Sequence, residues 1–175
     1  MLVVAFSRLC PPAERAMAVE IRATSLEDAG AISTLNMDVQ QLHADAYPWR
    51  FKPPGPRTFS VMDAKELLSR PHYFGFVAVD EGTPMGYLVA EIVRRPETAR
   101  QFAHELIYIH EISVRAGARR KGIGRALLDV AKTHGHSLGI SLVALDTWTF
   151  NEGALRFFQK NGLVPFNVRL WNKGE

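Results

Sequence analysis

Residues 114–125 read Val-Arg-Ala-Gly-Ala-Arg-Arg-Lys-Gly-Ile-Gly-Arg. An apolar run, Leu-Ile-Tyr-Ile-His-Glu-Ile-Ser-Val over 106–114, precedes the stretch and has the composition of a strand. From Gly122 to about Gly135 the apolar residues Ile123, Ala126, Leu127, Val130 and Ala131 fall at helical spacing. The stretch is therefore a strand, a glycine-rich loop and an amphipathic helix. The first N–H groups of a helix have no intrahelical partner and carry partial positive charge, so they bind phosphate. Gly122 and Gly124 let an anion approach the backbone, and Arg115, Arg119, Arg120, Lys121 and Arg125 surround the place with charge. The alternative is a solvated basic turn before a helix. The glycine spacing fits neither the P-loop nor the dinucleotide fingerprint.

Outward from this centre, the pattern alternates between the two periods. Val19, Ile21 and Ala23 alternate as a strand, and Thr24 or Ser25 caps a helix reaching about Gln40. Residues 42–56 hold four prolines and predict a long loop; 60–70 predict a second helix ended by Pro71. Residues 73–79 and 85–93 form a hairpin about Asp80-Glu-Gly-Thr-Pro84. A short strand over 141–145, a helix capped by Asn151 and a last strand over 163–171 complete the chain. The order β-α-α-β-β-β-α-β-α-β predicts one α/β domain over 17–175, with an antiparallel first half to its sheet.

The chain has 175 residues, 47% of them hydrophobic and 22% charged, which excludes disordered, collagenous and coiled-coil classes. One cysteine, Cys10, excludes an internal disulfide and suits a cytoplasmic location. No apolar run is long enough for a membrane helix. Residues 1–16 carry no period and read as a loose N-terminal extension, with Met17 as the expected start. The net charge is +3. Residues 115–125 hold five of the 21 Lys and Arg and no acid, leaving 16 basic against 18 acidic residues elsewhere. That concentration suits a compact phosphorylated ligand and argues against nucleic acid as partner. His134 and His136 share no helical face and lack companion ligands, so no metal site is expected; they read as a solvated helix end.

Arg119-x-x-Gly122-x-Gly124 resembles the acetyl-CoA motif [Q/R]-x-x-G-x-[G/A] of the GNAT superfamily of N-acetyltransferases. Residues 151–163, Asn-Glu-Gly-Ala-Leu-Arg-Phe-Phe-Gln-Lys-Asn-Gly-Leu, resemble its N-x-x-A-x-x-[FL]-Y-x-x-x-G-F element, and the likeness extends over about 19–171. The resemblance implies a mostly antiparallel sheet of six to seven strands with two central strands splayed apart. It implies acetyl-CoA as cofactor and an amine of a small molecule or peptide as acceptor. Arg119, Arg120, Lys121, Gly122, Ile123, Gly124 and Arg125 would hold the pyrophosphate. The backbone of Ile112, Ser113 and Val114 would pair with the pantetheine arm, and Asn151 would bond the cofactor near its reactive end. Asn151 as a plain helix cap is the structural alternative. Family precedent also allows a homodimer. The rival function is a CoA-binding protein with weak or lost catalysis.

Amide formation needs a base to deprotonate the amine. Alternation predicts Tyr108, His110, Ile112 and Val114 on one face, with Ile109, Glu111 and Ser113 on the other. In the family the base often lies four or six residues before the position of Val114, which implies His110 or Tyr108. Glu111 is the rival, because a bulge there would re-aim it. The family's acid, a tyrosine, falls at Phe158, which has no proton to give. Tyr108 or water is then the alternative donor. Residues 42–59 and 94–107 are expected to build the acceptor site, with His43, Asp45, Tyr47, Trp49 and Phe51 able to receive a cationic or aromatic amine.

Overall fold

The structure, a computed structural model, describes residues 19–172. The expected extension over 1–16 and the start at Met17 lie outside these residues. Five strands appear among them: β1 (Glu20–Ala23), β2 (Tyr73–Asp80), β3 (Thr83–Arg95), β4 (His104–Val114) and β5 (Val143–Leu145). They form one sheet in the order β1-β2-β3-β4-β5. The first three pairings are antiparallel, and β4 pairs with β5 in parallel. Four α-helices flank the sheet: α1 (Ala29–Ala46), α2 (Val61–Ser69), α3 (Ile123–Ser137) and α4 (Glu152–Lys160). No helix among the described residues is long and apolar enough to cross a membrane.

Helix starts follow side-chain chemistry. Ser25 accepts from the Glu27 N–H, while Asp28 reaches back to the Ser25 N–H at 2.8 Å; Arg22 clamps the same carboxylate through two bonds of 2.9 and 2.7 Å. Ser60 and Asp63 form the equivalent reciprocal cap on α2. α1 runs six residues beyond the expected Gln40, because 41–46 contain no proline or glycine to stop it.

The two faces of the sheet bury separate clusters. Ile32 and Leu35 of α1, with Ala64 and Leu67 of α2, cover Tyr87 and Val89. On the opposite face Leu127, Leu128 and Ala131 of α3 cover Ala78, Leu88, Ala90, Ile107 and Ile109. Leu128 is fully buried and Ala126 is not, so the buried stripe of α3 includes a residue outside the expected period. His134 is half-buried against Phe74, ring centres 4.5 Å apart, rather than solvated as expected; His136 is exposed.

The last strand expected over 163–171 is not formed, and the sheet has five strands instead of six or seven. Apolar residues do alternate there, at Val164, Phe166, Val168 and Leu170. Yet Val164, Phe166, Val168 and Leu170 are all exposed, at 80%, 100%, 72% and 87%, so the period meets no sheet face. Pro165 also removes a ladder donor. The far end of this segment instead brings Trp171 onto Trp49, 5.3 Å between ring centres.

Candidate active site

The loop after β4 is shaped by two left-handed residues. Arg120 has φ +63° and Gly122 φ +84°, which turn the chain so that α3 starts without a side-chain cap. A backbone bent in this way, leading into free helix N–H groups, makes a concavity for an anion. A Cβ on Gly122 would meet nothing, so that side of the loop is open. Gly124 differs: its Cβ would meet the Phe157 ring at 3.3 Å and Val114 at 3.7 Å. Its missing side chain lets α4 pack on the start of α3, a role the motif alone did not disclose.

The basic residues divide into two sets. Arg115 donates to the Pro84 carbonyl at 3.2 Å, and Arg119 Nε donates to the Val114 carbonyl at 3.0 Å, tying loop to strand. Arg119 also lies 3.7 Å from Asp38, and Arg125 lies 3.5 Å from Asp129. Arg120 and Lys121 are exposed and make no ion pair among the described residues. Ile123 is buried under the loop in the α3-side cluster.

β4 carries the decisive irregularity. Val89 pairs with Glu111 and Ala90 with Ile109, so His110 is the extra residue of a β-bulge. Past the bulge the side chains change face. Ile109 belongs to the α3 side, whereas Glu111 pairs with Val89 of the α1–α2 side. The expected shared face for Ile109, Glu111 and Ser113 is corrected on this ground. Ile112 and Val114 pack on the α3 side, so they do not share a face with Tyr108, whose partner Glu91 alternates with Tyr87 and Val89.

The bulge gathers polar groups under α1. Tyr87 donates to Glu111 Oε2 at 2.5 Å, and the Asn36 amide donates to the same oxygen at 2.9 Å. Burial pushes the Glu111 carboxyl above the usual carboxylate range, against the pull of those two donors. Burial and the facing Glu111 likewise push the Tyr87 phenol well up. His110 Nε2 lies 2.8 Å from Glu91 Oε2, with its ring stacked on Tyr73 at 4.9 Å and edge-on to Tyr108 at 4.9 Å. A carboxylate only accepts, so Nε2 carries the hydrogen and neutral His110 presents Nδ1 as an acceptor. The Tyr108 phenol is pushed up to about 12 by burial and by its bond to Asp146, and so holds its proton through the neutral range.

The strands diverge beside this cluster. β5 pairs only with Ile107, Tyr108 and Ile109. From His110 to Val114 the β4 edge facing β5 has no ladder partner among the described residues, while the other edge stays bound to β3. Ser113 is buried and donates to the Leu35 carbonyl of α1 at 3.0 Å, which fixes the end of the strand.

A strand, a turn rich in free N–H groups and an opened strand edge are the parts that an extended phosphorylated cofactor requires. The sequence model of the acetyltransferase (GNAT) family matches residues 36–163. The chain belongs to the GNAT family. A curated relative, an uncharacterised N-acetyltransferase in the pepI 3' region of Lactobacillus delbrueckii subsp. lactis, is 26% identical over 110 residues; the match spans 63% of this chain and 62% of the relative. Among solved structures, a tetramutant of the BH1408 protein from Bacillus halodurans superposes with a TM-score of 0.84 at 22% identity, covering 88% of this chain and 99% of that one. The aminoglycoside N-acetyltransferase AAC(6')-Iy, solved in complex with CoA, superposes with a TM-score of 0.67 at 18% identity over 92% and 97% of the two chains. At these identities the likeness establishes the GNAT fold, with its mixed, mostly antiparallel sheet.

The second GNAT motif sits on α4. Asn151 caps that helix, its Oδ1 accepting from the Ala154 N–H at 3.1 Å. Phe158, at the family's tyrosine position, is buried beside Phe157 with ring centres 5.1 Å apart. It completes packing, and a phenylalanine there needs no hydrogen-bond partner.

The expected acceptor elements separate. The expected segment 94–107 lies toward the other end of β4: His104 and Val114 are ten steps apart, roughly 33 Å in an extended strand. His43, Tyr47, Trp49 and Phe51 do gather, and residues that sequence reading missed join them. Tyr47 meets Phe150 at 5.1 Å, Phe51 meets Trp148 at 5.2 Å, and Trp49 meets Trp171. Asp45 instead accepts from Gln41 at 2.6 Å on the exposed side of α1. Glu91, Asn36 and Tyr87 were also missed. Glu91 left a readable signal, as the one acid in the apolar run 85–93. Trp148-Thr-Phe150, directly before Asn151, left another.

Proposed function

We propose that this protein transfers the acetyl group of acetyl-CoA to an amine, with His110 as the general base. One observation carries the assignment: the bulge sets His110, braced by Glu91, beside the unpaired edge of β4. The residues present fit the cofactor. The Arg120–Gly122 turn and the start of α3 would receive its pyrophosphate, with Arg120 and Lys121 adding charge; Ile112, Ser113 and Val114 would line its arm with backbone. Asn151 already spends Oδ1 on its helix, so its amide group is what faces a ligand there. Bound acetyl-CoA supplies the thioester, whose acyl carbon gains a bond to the amine nitrogen and loses its bond to sulfur.

The chain's own groups handle the amine's proton. His110 Nδ1 accepts the proton that the amine sheds, and Glu91 holds the ring and balances the imidazolium that results. Burial and Asp146 make Tyr108 a weaker acid than a thiol, so water is the better donor to the departing thiolate in place of the family tyrosine that Phe158 replaces. Glu111 is bound by two donors on one oxygen and tethers α1 to the bulge, which suits positioning more than proton abstraction.

The neighbouring aminoglycoside N-acetyltransferases agree with an amine acceptor. The rival reading, a CoA-binding module without catalysis, draws on Phe158. Both are tested by offering acetyl-CoA and a broad amine panel to the purified protein. Amine-dependent CoA release, lost in His110→Gln while CoA still binds, is the expected result. CoA binding with no release from any amine overturns the enzyme reading.

A further inference from the structure

Arg50 already occupies the aromatic cluster beside the splayed strands. Its guanidinium carbon lies 4.8 Å from the centre of the Trp171 ring, 5.2 Å from Trp148 and 5.6 Å from Phe51. Three rings around one cation is the arrangement by which proteins bind organic cations, because each ring presents the negative face of its quadrupole. We infer that this cluster is a binding site for an organic cation, and that Arg50 is a resident stand-in which the ligand displaces.

The position supports this reading. Tyr108 pairs with Ala144 of β5, and Trp148 follows Ala144 by four residues. The cage therefore borders the Tyr108–His110 end of the open edge. α1 gives the scale. Asn36 touches Glu111 and His43 stacks on Phe51 at 5.0 Å, and these two residues are seven apart on one helix, about 10 Å along its axis. The rim is open to solvent, since Arg50 is exposed and Trp49 and Trp171 are 69% and 47% exposed. The chemistry also selects: Arg50 makes no ion pair among the described residues, so rings alone hold it.

Resting on the acetyltransferase reading, this defines an acceptor class. The acceptor carries the reacting amine and a second cationic centre about 10 Å away. The reacting amine reaches His110 while the second centre replaces Arg50. A monoamine satisfies one end only.

Of the chain's three tryptophans, Trp148 and Trp171 line the cage and Trp49 packs on Trp171, so intrinsic fluorescence reports on it directly. Choline, which cannot be acetylated on its nitrogen, is titrated against its neutral isostere dimethylbutanol at fixed ionic strength. Saturable quenching by choline but not by the alcohol is expected. Arg50→Gln should tighten choline at least about fivefold, Arg50→Lys should behave as wild type, and Trp148→Leu should weaken it at least about tenfold. Equal quenching by the alcohol, no saturation by choline, or no tightening in a folded Arg50→Gln overturns the cage. Thermal melts of each variant identify the folded ones, and Trp148→Phe, which keeps a ring, should retain binding if Trp148→Leu does not fold. A seven-carbon linear diamine should then show kcat/KM at least about tenfold above heptylamine. If choline binds and no amine releases CoA, the cage stands and the enzyme reading fails. If amines turn over and choline does not bind, the cage fails alone.

Discussion

His110 and Glu91 face each other across β4 and β3, with Nε2 2.8 Å from Oε2, at the point where the ladder slips by one residue. The slip is what brings them together. In an unbroken ladder the alternation of β4 would carry Glu111 to the face of Ile109 and leave His110 with a direct partner on β3. The pair makes histidine an oriented acceptor, as a nucleophile's base is oriented by a third group in other enzymes.

His110→Gln should therefore lower kcat by about 10²–10⁴-fold with CoA affinity unchanged. Glu91→Gln should cost less, about tenfold, because it removes the brace and the balancing charge but leaves the base. The discriminating measurement is the split between binding and turnover: kcat should fall in His110→Gln while KM for the amine and the affinity for CoA stay near wild type. An undiminished kcat in that variant would move the base elsewhere.

Glu111 makes a prediction about stability. Burial holds its folded value above the ordinary 4.5. A carboxyl raised by folding binds its proton more tightly in the folded chain, so it favours the fold at low pH. That contribution is complete below about 4.5 and is lost as pH rises through the raised folded value. Glu111→Gln keeps an oxygen for Tyr87 and Asn36 but has no charge to bury. Denaturant melts from about pH 4 to 8 should show the variant gaining on the wild type as pH rises. Activity falling by less than about tenfold would agree with Glu111 as a positioning residue.

Most of the fold was legible because it depends on local rules. Ser25, Ser60 and Asn151 all cap helices, and the alternation of Val19 and Ile21 does face the α3-side core. The 163–171 segment misled because strand periodicity is necessary for a strand but a hydrogen-bonding neighbour is also required. The His110 bulge was out of reach for a related reason. It exists only as a mismatch of count between β3 and β4, and neither strand alone encodes it. The turn between β4 and α3 was readable because glycine, charge and helix period sit within twelve residues. The aromatic cluster was half-readable: Tyr47, Trp49 and Phe51 are near in sequence, whereas Trp148 arrives from the turn after β5 and Trp171 from beyond α4.

Asp28 provides the opposite pH sign. The Arg22 guanidinium and the Ser25 N–H hold its carboxyl below the ordinary 3.8. A carboxylate lowered by folding contributes stability above its unfolded value, and that contribution disappears as pH falls through the folded one. Asp28→Ala loses both the cap and the Arg22 clamp, and should cost about 1–2 kcal/mol at neutral pH. The gap from wild type should shrink on acidification below about pH 4, because the wild type then loses the same charge. A gap independent of pH would mean that packing, not the ion pair, holds the β1–α1 corner.

The two motif glycines should separate when each is replaced by alanine. Gly122 has φ +84° and open space where a Cβ would go, so alanine there meets strain but no clash, costing about 1–2 kcal/mol. Its methyl would also stand on the open side of the turn, where the pyrophosphate is proposed to lie. Gly124 is the second residue of α3, where alanine is the better helix former by at most about 1 kcal/mol. Its methyl would point at Phe157, 3.3 Å away, a half-buried ring that must shift by a few tenths of an ångström. Gain and contact nearly cancel, so Gly124→Ala should melt within about 0.5 kcal/mol of wild type. Calorimetric titration with CoA should then show at least about tenfold weaker binding for Gly122→Ala and less than about threefold for Gly124→Ala. The reverse order would place the pyrophosphate on the α4 side of the loop and displace the turn of Arg120 and Gly122 from the cofactor site.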